Sequence, residues 1–118
     1  VIFEYPIHLH GYDFHILAQG PGIFNLSQIL QFKNPPRRDV FMLPRGGHLV
    51  LAFPADYPGA WLMHCHNSFH QGEGLDMQVL ERMDEVESLI DGDAVRANCD
   101  DWGEYAKTAN VYQNDHAI

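Results

Sequence analysis

The chain has 118 residues, on the order of one small domain. Hydrophobic residues make up 46% and charged residues 19%, which permits a buried core and excludes a compositionally disordered chain. The net charge of −9 argues against a nucleic-acid surface, and no apolar run approaches the roughly 18 residues of a membrane span.

The chain opens on strand-like Val1-Ile2-Phe3, with no Met and no basic segment leading into an apolar stretch. It therefore shows no signal peptide, and its start reads as the interior of a longer polypeptide. Residues 12–19 alternate Tyr12, Phe14, Ile16, Ala18 against Asp13, His15, Leu17, Gln19, the period of a half-buried strand. Residues 20–38 read as a long loop with a short turn near 26–30. Residues 40–43, 47–53, 61–65 and 77–80 are strand-like, and all the prolines fall at or before Pro58. Short strands with Gly and Pro between them predict an all-β sandwich or barrel. Beyond residue 82 the pattern changes. Met83, Val86 and Ile90 share one face of a short helix, and residues 101–106 suggest another helical turn. The many acidic residues there read as a solvated face, and Trp61 and Trp102 as packing residues.

Histidine is over-represented, with 8 in the chain. The densest group is His64-Cys65-His66-Asn67-Ser68-Phe69-His70. In an extended strand His64 and His66 share one face, with Cα atoms roughly 7 Å apart, and Cys65 points the other way. One strand can thus feed two metal sites: Cys65 with His70 from the following loop, and the His64/His66 face. Thiolate and imidazole suit copper or zinc. A second group, Tyr5-Pro6-Ile7-His8-Leu9-His10-Gly11, again puts two histidines on one face. His15, His48 and His116 read as ordinary packed or surface residues. The two cysteines, Cys65 and Cys99, allow a bridge by count; if Cys65 has another role, Cys99 is left over. Asn25-Leu26-Ser27 fits a glycosylation acceptor, a pattern common by chance.

Pro6-Ile7-His8-Leu9-His10-Gly11 and His64-Cys65-His66-x-x-x-His70-x-x-x-Gly74-Leu75 resemble the two C-terminal copper signatures of the multicopper oxidases. Asn34-Pro35-Pro36-Arg37-Arg38-Asp39-Val40 and Pro58-Gly59-Ala60-Trp61-Leu62-Met63 resemble the ascomycete-type fungal laccases within that family. The resemblance runs over roughly residues 3–105 and implies the following. Residues 1–82 would be the latter part of the third cupredoxin domain, a partial plastocyanin-like Greek-key β-sandwich. Residues 83–118 would be an acidic helical C-terminal extension. His8 would ligate the type 2 copper, and His10, His64 and His66 the type 3 pair. Cys65 and His70 would ligate the type 1 copper, with Leu75 at its axial position. Arg37, Arg38 and Asp39 would anchor their loop through ion pairs.

The activity implied is a laccase-like oxidoreductase. A phenolic or similar reductant would give up single electrons near His70. They would pass through Cys65 to His64 and His66, where dioxygen is reduced to water. The protein would be secreted, with neither a nucleic-acid nor a membrane partner. Cys99 would bridge to the missing first domain, and residues 115–118 would loosely match a C-terminal channel plug. Since the remaining ligands of the trinuclear cluster lie in the absent domains, the isolated chain is expected to be inactive.

One position departs from the family: Tyr5 stands where the resemblance expects a second imidazole ligand of the type 1 copper. Three outcomes are open: a crippled type 1 site, a phenolate ligand, or a sequence error. The alternatives to an oxidase are a degenerate copper-binding cupredoxin without turnover, and a zinc site built on Cys65.

Overall fold

The computed structural model describes residues 4–110 of the chain. Seven strands come in the order β1 (Tyr5–Leu9), β2 (Phe14–Pro21), β3 (Arg37–Arg38), β4 (Val40–Leu43), β5 (Gly47–Ala52), β6 (Gly59–Cys65) and β7 (Asp76–Glu81). Three helices join them: α1 (Ser68–Gly72), α2 (Met83–Val86) and α3 (Gly92–Ala109). The strands form two open sheets, one in the order β4-β1-β6-β7 and one in the order β3-β2-β5.

Alternation decides which side chains go between the sheets. Leu9, Tyr12, Phe14 and Ile16 are buried, and Phe41, Leu49, Leu51, Phe53, Trp61, Met63 and Val79 pack on them from both layers. This is the all-β sandwich anticipated from the strand pattern. β4 falls where expected, and the ends of the other strands move by a few residues. The expected 20–38 loop is shorter at both ends. β2 continues to Pro21, and Arg37–Arg38 pairs with Phe14 and His15 as an extra strand.

The helical extension differs more. α2 stops at Val86, so Ile90 does not share its face. α3 runs from Gly92 to Ala109, far beyond the single turn expected at 101–106. Asp91 caps it by accepting hydrogen bonds from the Asp93 and Ala94 amides, and Asn110 ends it in the left-handed region at φ 50°. No residue of α3 is buried, although Val95, Cys99, Trp102, Ala106 and Ala109 recur at helical spacing along it. Trp102, expected to pack, is half exposed beside Tyr105.

Tyr12 and Glu81 form a buried polar pair at the core. The Tyr12 hydroxyl donates to Glu81 Oε2 at 2.7 Å and accepts from the Tyr57 amide at 3.2 Å. Desolvation first, and then the Glu81 carboxyl, push the Tyr12 phenol up to about 12 from its ordinary 10.0. The raised value favours the neutral phenol in the folded state. That contribution to stability is full below pH 10.0 and is lost as the pH rises to about 12. Tyr12→Phe is expected to flatten this alkaline loss in denaturant unfolding measured across that range; an unchanged alkaline limb would refute the assignment.

Candidate metal centre

Two neighbouring strands carry most of the site. β1 and β6 run antiparallel with Ile7 opposite Cys65, His8 opposite His64 and Leu9 opposite Met63. Pro6 has no amide proton to give a ladder, but its carbonyl accepts from the His66 amide at 2.6 Å. This bond extends the register one step past the end of β6. The period of two then gathers His8, His10, His64 and His66 on one side. Ring centroids lie 4.8 Å apart for His8–His10, 5.1 Å for His10–His64, 5.6 Å for His8–His66 and 5.7 Å for His64–His66.

The nitrogens converge as well. His10 Nε2 stands 3.1 Å from His64 Nε2. One ligand atom from each of His8, His10 and His64 falls within 4.8 Å of the others. Backbone carbonyls orient two of the rings: Asp39 O lies 2.8 Å from His8 Nδ1, and Cys65 O lies 3.0 Å from His64 Nδ1. A carbonyl only accepts, so each Nδ1 carries the proton and each Nε2 keeps its lone pair for the centre. The His10 imidazolium is disfavoured, by desolvation first and then by repulsion from His8, His64 and His66, which holds its pKa below the ordinary value. Imidazole lone pairs that converge on one point are what a metal ion requires.

The opposite side carries sulfur. Cys65 is fully buried, and its Sγ lies 3.5 Å from His70 Nδ1. His70 was expected in a loop but lies in the short helix α1, which Asn67 caps by accepting from the Phe69 amide. The chain then returns along β6: the Leu75 amide donates to His70 O at 2.9 Å, and the Cys65 amide donates to Leu75 O at 3.0 Å. Ile7, Met63, His64, Leu75, Asp76 and Met77 line a small cleft of about 110 Å³. The Tyr5 ring lies 5.0 Å from the His70 ring, so the departing residue stands at this donor pair.

Every singled-out residue of the two motifs is therefore brought into one of two adjoining groups. Two contributors were missed. The Asp39 carbonyl orients His8, and Asn67 sets the helix that carries His70. Asn67 had a legible signal, a capping side chain just before Ser68; a backbone carbonyl leaves none. Arg37 pairs with Asp13 at 3.4 Å, as expected of an anchored loop. Arg38 instead donates to Arg37 O. Cys65 and Cys99 are both free, so the bridge allowed by count is not formed. His48 Nδ1 lies 2.9 Å from Gly22 O, an ordinary satisfied histidine. His116 and the expected plug at 115–118 lie outside the described residues.

Comparison with known proteins gives a consistent result. Residues 2–85 match the family described as multicopper oxidase. Laccase-1 of Botryotinia fuckeliana is 44% identical over 118 residues, covering 98% of this chain and 21% of that protein. The oxidoreductase OpS5 of Beauveria bassiana is 44% identical over 117 residues, with 98% and 20% covered. The crystal structure of the laccase from Botrytis aclada superposes with a TM-score of 0.74 at 38% identity, covering 99% of this chain and 22% of that one. Fet3p, a multicopper oxidase that functions in iron import, shares the fold with a TM-score of 0.68 at 23% identity. The chain thus spans about 20% of the length of the relatives it matches.

Proposed function

We propose, from the premise that this chain belongs to the multicopper oxidase family, that it forms the latter part of the third cupredoxin domain of a laccase-like oxidoreductase. The reaction is one-electron oxidation of phenolic or similar substrates, coupled to reduction of dioxygen to water. Residues 1–82 supply the cupredoxin part and residues 83–118 the acidic extension. One observation carries the reading: a single tripeptide presents two donor groups on opposite sides, His10 with His64 at 3.1 Å and Cys65 with His70 at 3.5 Å.

The family cofactor is copper, and the donors fit it: imidazole and thiolate are the ligands copper prefers. His8 would hold type 2 copper, His10, His64 and His66 the type 3 pair, and Cys65 and His70 type 1 copper. Bound copper supplies a one-electron acceptor at the sulfur side and dioxygen reduction at the imidazole side. The chain's own residues do the rest. Asp39 O and Cys65 O aim His8 and His64 through their Nδ1 protons. The peptide bonds between Cys65 and its two histidine neighbours give a covalent path from one group to the other. Leu75 would stand beside the sulfur-side copper with no atom to coordinate it, which would favour the reduced metal.

The partners of this reading are a small reductant, dioxygen and the preceding cupredoxin domains of the same polypeptide. Cys99, exposed on α3, bridges to the first of those domains in an oxidising, extracellular setting. The isolated chain lacks half of the imidazole ligands and is inactive.

A second reading has a specific observation behind it. The Tyr5 ring against His70 leaves the sulfur site with a phenol where the family has imidazole, which favours a copper-binding protein without turnover. Tyr5→His in the full-length protein decides between the two. If the site is crippled, the variant gains an intense visible absorption and turnover rises about 10- to 100-fold, the scale on which changes around metal sites act. If neither changes, Tyr5 is no defect. A colourless full-length protein carrying zinc would overturn both.

A further inference from the structure

The connection between β2 and β3 carries a motif that the function above leaves unused, Asn25-Leu26-Ser27. Backbone bonds hold both ends of this loop: the Gly22 amide donates to Gly46 O at 2.8 Å, and the Gln31 amide to Leu17 O at 2.8 Å. Between them the chain makes a tight turn, closed by the Gln28 amide donating to Asn25 O at 3.0 Å. The Asn25 amide donates to Gln28 Oε1 at 2.9 Å. The Ser27 amide donates to the Asn25 side chain at 3.0 Å, and the Ser27 hydroxyl donates to the same atom. A backbone N–H only donates, so that atom is the oxygen, Oδ1. The turn thus uses the amide, the carbonyl and Oδ1 of Asn25. Among the described residues no hydrogen bond holds its Nδ2. Asn25, Leu26 and Ser27 are all exposed.

The same turn lays bare apolar groups. Leu26 is 96% exposed and Ile29 93%. One such side chain on a surface is ordinary, but two nearly bare on one short turn form a patch that calls for cover.

We propose that Asn25 Nδ2 carries an N-linked glycan, and that the glycan covers Leu26 and Ile29. The inference rests on the extracellular setting read above, and not on the copper. The sequence fits the acceptor pattern, with no proline at Leu26 or Gln28. Every bond that shapes the turn lies within residues 25–28, so it forms in a nascent chain without the rest of the fold. The donor class is an oligosaccharide joined through a diphosphate to a polyprenol lipid. Nδ2 forms a bond to the anomeric carbon of the first sugar. The bond from that carbon to the diphosphate oxygen breaks, and the lipid diphosphate leaves with its electron pair. Nδ2 gives up one proton, and nothing is oxidised or reduced. The C–H face of a sugar ring suits Leu26 and Ile29, while its hydroxyls face water. The loop joins two strands of the β3-β2-β5 sheet, whereas the metal groups stand on β1, β6 and α1, so the glycan leaves the metal centre open.

The test uses the full-length protein secreted from a eukaryotic host. Enzymatic release of N-glycans in heavy-oxygen water turns a glycosylated Asn into a labelled Asp. Peptide mass spectrometry is expected to find the label at position 25 in most copies of the wild type. Ser27→Ala is expected to lose it and Ser27→Thr to keep it. Glycan release from the folded wild type is expected to raise binding of an apolar fluorescent dye several-fold, with phenol oxidation and copper content unchanged. The same release from a Leu26→Ser, Ile29→Ser double variant is expected to leave dye binding level. The wild-type peptide decides the modification by itself, so no variant has to fold. A secreted protein with unlabelled Asn25 overturns the inference alone, and dye binding that ignores the glycan overturns its covering role. A full-length protein that stays inside the cell overturns the extracellular reading as well.

Discussion

Cys65→Ser in the full-length protein is expected to abolish the thiolate-to-copper absorption and to reduce phenol oxidation to background. The argument starts from the donor set. Cys65 Sγ lies 3.5 Å from His70 Nδ1, and a serine oxygen is hard where the site is soft. Burial adds to the effect, because Cys65 is fully enclosed and a hydroxyl left there without a partner costs about 1–3 kcal/mol. The imidazole group should survive, since none of its nitrogens depends on the sulfur. Copper content should therefore fall by the share held at the sulfur side and not to zero. Metal analysis with a thermal melt separates this outcome from simple unfolding. A Cys65→Ser protein that keeps its colour would place the donor elsewhere.

Phe14→Ala is expected to cost about 3–5 kcal/mol, the range for deleting a buried aromatic ring. Phe14 is the largest of the fully buried side chains and sits in β2 facing Leu9, Tyr12 and Ile16. Total domain stabilities are about 5–15 kcal/mol, so this single change removes a large fraction of the margin. Denaturant unfolding should show a lower midpoint with an unchanged slope. Ile23→Ser is the control: Ile23 is 94% exposed in the described residues, and such surface changes stay within about 0.5 kcal/mol. Equal losses at the two positions would refute the packing account.

The sequence carried the sheet face of the site better than its helical parts. His8, His10, His64 and His66 were legible because a strand has a fixed period of two, and period alone assigns each side chain to a face. His70 was expected beside Cys65 from a loop but stands in α1, a 5-residue helix held by one Asn cap, too short to show periodicity. α3 was underestimated for a different reason. Val95, Cys99, Trp102, Ala106 and Ala109 follow a helical period through its 18 residues, but small and acidic residues between them blur it, and none is buried. The Arg37–Arg38 pairing escaped notice because two charged residues carry no strand signature. Asp39 orients His8 through a carbonyl that every residue possesses, so only folding reveals its part.

The pairing of His8 with His64 and of Ile7 with Cys65 also limits how the gene can change length. Deleting one codon within β1 or β6 shifts the following side chains to the opposite face, so imidazoles would turn toward the sulfur side and sulfur toward the imidazoles. Substitution can vary these strands, but insertion and deletion cannot. The long connection between β2 and β3 has no such parity, and length variation among relatives should accumulate there.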